Sequence, residues 1–245
     1  VTNIDYKPIV AAHIESGADI TAVAHTGVYS SDDIKTSTVF NVDADKNVTS
    51  VLINPDISGT CTTSLNVFVM SMDFLIETVN DAMARGNVSF ERNILQEKCR
   101  ELKIKIYEYD NYFSKLNSPE SYFKSNMALL EPDNARKLFV PKRSIYTKVS
   151  DNAPVKYDLD SKVSNSLIAD GCIIEGEVEN SVLFRGVKVG KGAKVKNCIL
   201  MQGTVVGDNA ELNYLITDKN VSICENHILT SSPQYPMYVG KGASV

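Results

Sequence analysis

The strongest constraint on the fold is a repeat in the C-terminal third of the chain. VGKGAKV at Val189 is followed by VGDNAEL at Val206, ICENHIL at Ile223 and VGKGASV at Val239, so the units start 17, 17 and 16 residues apart (206 − 189, 223 − 206, 239 − 223). A second phase, NSLI at Asn165, NSVL at Asn180, NCIL at Asn197 and NYLI at Asn213, steps by 15, 17 and 16. Self-similarity at a short fixed period marks a solenoid whose units bury their apolar face only against their neighbours. The aliphatic residues come in clusters too brief for amphipathic helices, separated by Gly, Asn and Asp, so the coils are predicted to be short strands joined by tight turns. Val189 and Val195 then point inwards, glycines occupy positive-φ corners, and the asparagines that start each unit sit at turns.

The same repeat removes a phosphate-loop reading of VGKGAKV. A P-loop needs two glycines five apart followed by Lys and Ser/Thr, after a strand and opening a helix; this stretch has none of these. Cys172, Cys198 and Cys224 are 26 residues apart (198 − 172, 224 − 198), not a multiple of the coil. They are therefore expected as buried or semi-buried thiols rather than one metal-binding edge. Five cysteines without a CxxC pair imply reduced thiols in a cytoplasmic protein, with no disulfide or zinc framework. A net charge of −5 leaves no cationic field for nucleic acid or an anionic membrane. No apolar run approaches the roughly 20 residues that span a bilayer.

Upstream the periodicity differs. Asp5 to Gly17 reads as a helix, ITAVAH as a strand, and STVFNVDADKNVTSVLIN as a hairpin around Asp43–Asn47. SLNVFVMS is a further strand, MDFLIETVNDAMARG a helix stopped at Gly86, FERNILQEKCREL a helix, KIKIYEY a strand, and Ser118-Pro119 the start of another helix. Strands alternating with helices predict an α/β layer over residues 1–140. A proline-containing linker is expected over 141–160, then the solenoid over 161–245. The chain opens on VTNIDY without an initiator Met, as expected of a chain with material missing upstream.

An α/β domain, a crossing segment and a terminal β-solenoid of V/I-G-x-x-A units together resemble bacterial ADP-glucose pyrophosphorylase, the glucose-1-phosphate adenylyltransferase of glycogen synthesis. The stretches IYTKVSDNAPVKY, NSLIADGCIIEGEVENSVLFRGVKVGKGAKV, YLITDKNVSI and SYFKSNMALL are most similar to its regulatory, GlgD-type subunit. The resemblance implies a partial Rossmann-like nucleotidyltransferase domain followed by a left-handed parallel β-helix of hexapeptide repeats. It also implies chemistry in which a sugar phosphate attacks the α-phosphate of ATP with Mg²⁺, which needs carboxylates for the metal and cations for phosphate.

Carried over residue by residue, the family's motifs are altered. Its Glu-Lys-Pro sugar-phosphate motif corresponds to Ile53, Asn54 and Pro55, so acid and cation are both gone. Ser64 remains where catalytic relatives place a serine near glucose, while Asn66 replaces a glycine. The Asp-Phe-Gly motif appears as Ser89, Phe90 and Glu91, and the metal-binding Asp aligns with Lys115 in FSKLNS. Reversing the charge beside a cation at about 4 Å costs several kcal/mol even when moderately screened. The expectation is a non-catalytic chain without a bound metal or cofactor, Asn54 and Ser64 being vestigial substrate positions. It would pair with a catalytic subunit in a hetero- or homo-oligomer, a tetramer in the family.

The resemblance also implies a small phosphorylated effector, with Lys142, Arg143, Lys148, Arg185 and Lys188 as candidate cations. An edge-capping or intersubunit salt bridge is the other role open to Arg185. Tyr235 and Tyr238, in the excursion SSPQYPMY, are interface candidates, with filling of the chain's own groove as the alternative. Two further readings stay open. An active transferase would need Asp5, Asp56 or Asp110 to supply substitute ligands, although capping accounts for Asp5. A hexapeptide-repeat acyltransferase would have to use His227, the sole histidine of the solenoid; His13 and His25 fit a helix face and a strand end.

Overall fold

A computed structural model describes residues 1–149 and 151–245, so one position of the expected linker, residue 150, lies outside the described residues. Two compact units are present, Ile4–Asn111 and a second formed by Val1–Asn3 with Tyr112–Val245. The change of composition near residue 140 and this division by packing mark different positions, because the two helices after Ser118 are compact with the coils.

In the first unit, helix α1 (Tyr6–Ser16) starts where the Asp5 carboxylate accepts the Lys7 N–H and stops at Gly17 in the left-handed region (φ 55°). The sheet has the order β3-β2-β4-β1-β5, from β1 (Ile20–Tyr29), β2 (Thr38–Val42), β3 (Val48–Ile53), β4 (Gly59–Val69) and β5 (Ile104–Glu108), with a one-turn helix, α2 (Ser31–Ile34), between β1 and β2. Only β1 and β5 pair in parallel. The β2–β3 hairpin forms where expected because Asp43 accepts the N–H groups of Asp45 and Asn47 and the Asn47 amide. Its tip reaches β5, where Lys46 C=O accepts the Ile106 N–H (3.0 Å), so the sheet curls around Ile20, Ala22, Phe40, Val51, Ile104 and Ile106.

Two helix expectations need adjusting. FERNILQEKCREL gives only a π-helical turn at Glu91–Gln96, which drives Ile94 and Leu95 into the concave core and then breaks into turns. Helix α3 (Met72–Ala84) forms as expected, but its apolar Leu75, Val79 and Met83 remain exposed, while Phe74 packs on the core.

The second unit is a parallel β-solenoid with three faces, each a five-stranded sheet. The first face stacks Lys156–Tyr157, Ile173–Ile174, Lys188–Val189, Val205–Val206 and Ser222–Ile223. The second stacks Lys162–Ser164, Glu177–Glu179, Lys194–Lys196, Glu211–Asn213 and Ile228–Thr230. The third stacks Leu167–Ile168, Val182–Leu183, Ile199–Leu200, Leu215–Thr217 and Met237–Val239. The coils thus begin at Lys156, inside the stretch read as linker, because backbone pairing with Ile173–Ile174 needs no repeat motif in the partner. Val189 and Val195 are buried in a core shared with Ile174, Leu200, Val206 and Leu212.

The register departs from the motif spacing twice. Val189 stacks on Val206 and Val206 on Ile223, but Val239 stacks on Thr217 of the third face, 22 residues earlier (239 − 217). The SSPQYPMY excursion lengthens that coil, so VGKGASV turns a different corner from VGKGAKV; a hexapeptide motif fits any corner. Likewise the positive-φ corners fall at Asn165, Asn180, Asn197 and then Tyr214 (φ 58°), not Asn213. Ile199 pairs with Ile216, making that step 17 (216 − 199). The asparagine ladder still holds, since the Asn165 amide donates to Asn180 (2.7 Å) and the Asn197 amide to Asn213 (2.9 Å).

On the third face the outward residues Ile199 and Ile216 are apolar, and helix α4 (Pro119–Ala128) covers them with Phe123. Ser118 caps α4 by accepting the Ser121 N–H, with Pro119 in the first turn, as the sequence predicts. A short helix, α5 (Pro132–Leu138), follows.

Candidate functional site

The first unit carries a cleft of ≈ 580 Å³ where β2, β3, β4 and the segment after α3 meet. Its wall includes Ile53, Asn54, Asn66, Ser89 and Glu91, five of the positions at which altered family motifs were expected. The chain folds them together for local reasons. Asn54 follows β3 with φ 51°, its N–H donating to Ser37 C=O (2.9 Å). Asn66 has φ 57° at a bulge in β4, where the register against β1 jumps between Val23 and Ala24. Asparagine tolerates the left-handed region better than other non-glycine residues, so both turns favour this side chain.

The opposite wall is the end of α3. Gly86 N–H donates to Met83 C=O and Asn87 N–H to Ala82 C=O (2.8 Å), a Schellman closure that turns Asn87 and Ser89 into the cleft. Ser89 Oγ accepts the Arg92 N–H (3.2 Å) and Ser89 N–H donates to Asn93 Oδ1 (3.3 Å), starting the π-helical turn. Thr36, Asn87, Arg92 and Asn93 also line it and were not singled out from the sequence. For Asn87 the Gly86 stop was the available signal.

Ser64 is not among the lining residues. It is buried in β4 opposite Ala24, and its Oγ accepts the Asn66 N–H (3.0 Å). Ser64 therefore shapes the turn that presents Asn66 instead of facing the cleft. The amides of Asn54, Asn66 and Asn87 make no hydrogen bond to protein groups among the described residues. The two charged lining side chains, Glu91 and Arg92, are of opposite sign.

The effector candidates all lie in the second unit. Arg185 Nε donates to Asp170 Oδ1 (3.1 Å) and its Nη1 to Lys148 C=O (3.2 Å), an intrachain bridge of the edge-capping kind. The Asn152 amide and then Arg185 hold the Asp170 carboxyl below its usual range. Arg143 Nε donates to Asn3 Oδ1 (3.3 Å), and the Asn3 amide returns a bond to Arg143 C=O. Lys142, Lys148 and Lys188 are exposed. Arg185 and Lys148 are thus brought together, while Arg143 is tied to the N-terminal strand segment.

The segment carrying Lys115 is fixed by a Thr2–Phe113 bridge and by the Thr2 hydroxyl donating to Tyr112 C=O (2.9 Å). An ammonium at this position repels a divalent cation and does not ligate it. Asp5 caps α1, and Asp56 accepts the Ser31 hydroxyl. His227 is exposed, with Nδ1–H donating to Glu225 C=O. Tyr238 donates to Asp218 (3.0 Å) and lines a groove with Tyr122, Met201 and Ile216, whereas Tyr235 is 81% exposed. No helix among the described residues is long and apolar enough to cross a membrane.

Residues 153–234 match the family described as GlmU-like, C-terminal hexapeptide. Over 242 residues the chain is 35% identical to "Glycogen biosynthesis protein GlgD" of Bacillus subtilis (strain 168), covering 99% of this chain and 60% of that protein. The GlgD protein of Geobacillus stearothermophilus is 35% identical over 80% of this chain and 46% of its own length. "Glucose-1-phosphate adenylyltransferase" of the same organism is 27% identical over 80% of this chain and 51% of its own length. The chain therefore spans at most 60% of the length of these relatives.

Proposed function

The chain resembles GlgD-type glycogen biosynthesis proteins along nearly its whole length, and from that premise we propose that it acts in glycogen biosynthesis as a regulatory, non-catalytic subunit. In this reading it modulates a catalytic glucose-1-phosphate adenylyltransferase that makes ADP-glucose and pyrophosphate from ATP and glucose 1-phosphate, and it assembles with that subunit. The observation that carries the reading is the cleft of the first unit. In its lining Asn54 stands where a phosphate-binding cation is expected and Ile53 where the neighbouring acid is expected. Lys115 supports the same conclusion, since a Mg²⁺ ion held by paired carboxylates would face a like charge there. The chain accordingly holds no metal of its own.

An effector phosphate reaching Arg185 would compete with Asp170, leaving the exposed Lys142, Lys148 and Lys188 as the freer cations. The test is an ADP-glucose assay of the full-length protein alone and mixed with its catalytic counterpart. The expected result is no Mg²⁺-dependent turnover alone and a changed rate or effector response in the mixture. Turnover by the isolated protein, or a mixture no different from the catalytic subunit alone, would reject the reading.

A further inference from the structure

We propose that the tip of the β2–β3 hairpin is a releasable clasp that closes the five-stranded sheet on itself, and that opening it frees the outer edge of β5 to pair with the same edge of a second copy. In the order β3-β2-β4-β1-β5, strands β3 and β5 end the sheet, and an uncovered strand edge presents unpaired N–H and C=O groups to any other chain. The hairpin tip bends round to β5, where Lys46 C=O accepts the Ile106 N–H (3.0 Å) and Asn47 bridges Lys105 in the antiparallel sense. The β3 edge is engaged separately, Val51 C=O accepting the Gln96 amide (2.9 Å).

The closure is weakly held. Strand β2 joins β4 through two residue pairs, Val39 with Thr63 and Phe40 with Thr62, whereas β1 and β4 pair along most of their length. Lys46 has φ 63°, where a Cβ crowds the backbone, and it keeps that conformation with its C=O aimed at β5. Its Nζ lies 3.6 Å from Glu108 Oε2 in a partly exposed pair that water and salt weaken. The Thr26 hydrogen bond, and Lys46 after it, hold the Glu108 carboxyl below its usual range, so the pair is ionised at neutral pH. Contacts this few and this exposed belong to the low-stability end of a fold, which opens locally before the whole unfolds. The Asp43 hydrogen bonds to Asp45 and Asn47 preserve the shape of the tip, so it leaves β5 as a unit.

The sequence of β5 favours a second copy as the occupant. Ile104-Lys105-Ile106-Tyr107-Glu108 is rich in β-branched and aromatic residues, and its one cation and one anion cancel, so two such edges do not repel. Identical edges are self-complementary when they pair antiparallel about a two-fold axis.

Hydrogen exchange resolved to single amides, with light scattering on size-fractionated protein, tests this on the full chain without a catalytic partner. The Ile106 amide should exchange at least about tenfold faster than those of Ala22 and Ala24 in the central strand β1. Lys46→Gly suits a positive φ and keeps the carbonyl, so it should slow Ile106 exchange about threefold with the mass unchanged. Lys46→Pro cannot reach a positive φ and loses the N–H given to Asp43 C=O. It should speed Ile106 exchange about tenfold in the fraction of parent mass and leave Ala22 and Ala24 protected. It should also yield a species of about twice the parent mass in which Ile106 is protected again. Asp43→Ala, which unties the tip by another route, should act in the same direction and replaces the proline variant if that one disturbs β1. The proposal is overturned if Ile106 exchanges no faster than Ala22 and Ala24, if neither tip variant speeds it, or if both keep the parent mass. A doubled mass in which Ile106 still exchanges fast would reject pairing through β5.

Discussion

At the residue scale, the solenoid is most sensitive where coils touch. A Cβ on Gly176 would lie 2.4 Å from Ala193 O and 2.6 Å from Gly190 O, backbone atoms of the next coil that cannot swing aside. Gly176→Ala is expected to cost about 1–3 kcal/mol by overpacking. Gly240→Ala, with nothing within 4 Å of its Cβ, should stay within about 0.5 kcal/mol, and urea midpoints compare the two. The cysteines give a second measurable contrast. Burial pushes the Cys198 thiol up to about 12 and raises Cys172 as well, while Cys224 is exposed. Brief labelling with a maleimide at neutral pH should modify Cys224 and leave Cys198 and Cys172 intact until the protein is unfolded, as read by peptide mass spectrometry. The spacing predicts all three as buried or semi-buried; Cys224 departs from that expectation because spacing sets the coil position and not which way the side chain faces.

At the element scale, helix α4 and the third face stabilise each other through one aromatic contact. Phe123 is buried over Ile199 and Ile216, its ring centroid 6.1 Å from that of Tyr214. Phe123→Ala should cost about 3–5 kcal/mol. Tyr214 holds a left-handed backbone that costs a bulky residue about 1–2 kcal/mol, so its ring packing offsets local strain. Tyr214→Asn should therefore destabilise less, or even stabilise, in the Phe123→Ala background than in the parent; equal effects in a denaturant double-mutant cycle would sink this coupling. The second face behaves differently, with Lys162 bonded to Glu177 (2.8 Å), Lys194 to Glu211 (2.8 Å) and Lys196 to Glu179 (2.9 Å). The Lys162 hydrogen bond holds Glu177 below its ordinary 4.5. A carboxylate lowered on folding stabilises the native state above its unfolded value and loses that contribution as pH falls through the lowered one. Thermal midpoints should thus decline as the pH is taken below about 4, and less steeply in high salt, which screens these exposed pairs.

At the scale of the whole molecule, the proposed non-catalytic reading rests on changes at separate positions, so it predicts that one substitution does not restore activity. In the full-length protein, Asn54→Lys alone is expected to leave ADP-glucose formation undetectable, because Lys115 remains; measurable turnover by that single variant would count against the non-catalytic reading. Much of the plan was legible in the chain itself. The repeat dictates a β-solenoid because aliphatic clusters separated by Gly, Asn and Asp can bury themselves only by stacking. The caps at Asp5 and Ser118, the hairpin at Asp43 and the Gly86 stop are local hydrogen-bonding events, complete within a few residues. What only the tertiary structure decided depends on longer-range packing. The excursion before Val239 shifts that motif to another corner, and the closing sheet draws Glu91–Gln96 into a π-helical turn. Strand order and a bulge put Asn54, Asn66 and Asn87 around one cleft while turning Ser64 away from it. Local geometry is written in neighbouring residues; which side chains share a cavity depends on pairings between residues far apart in the chain.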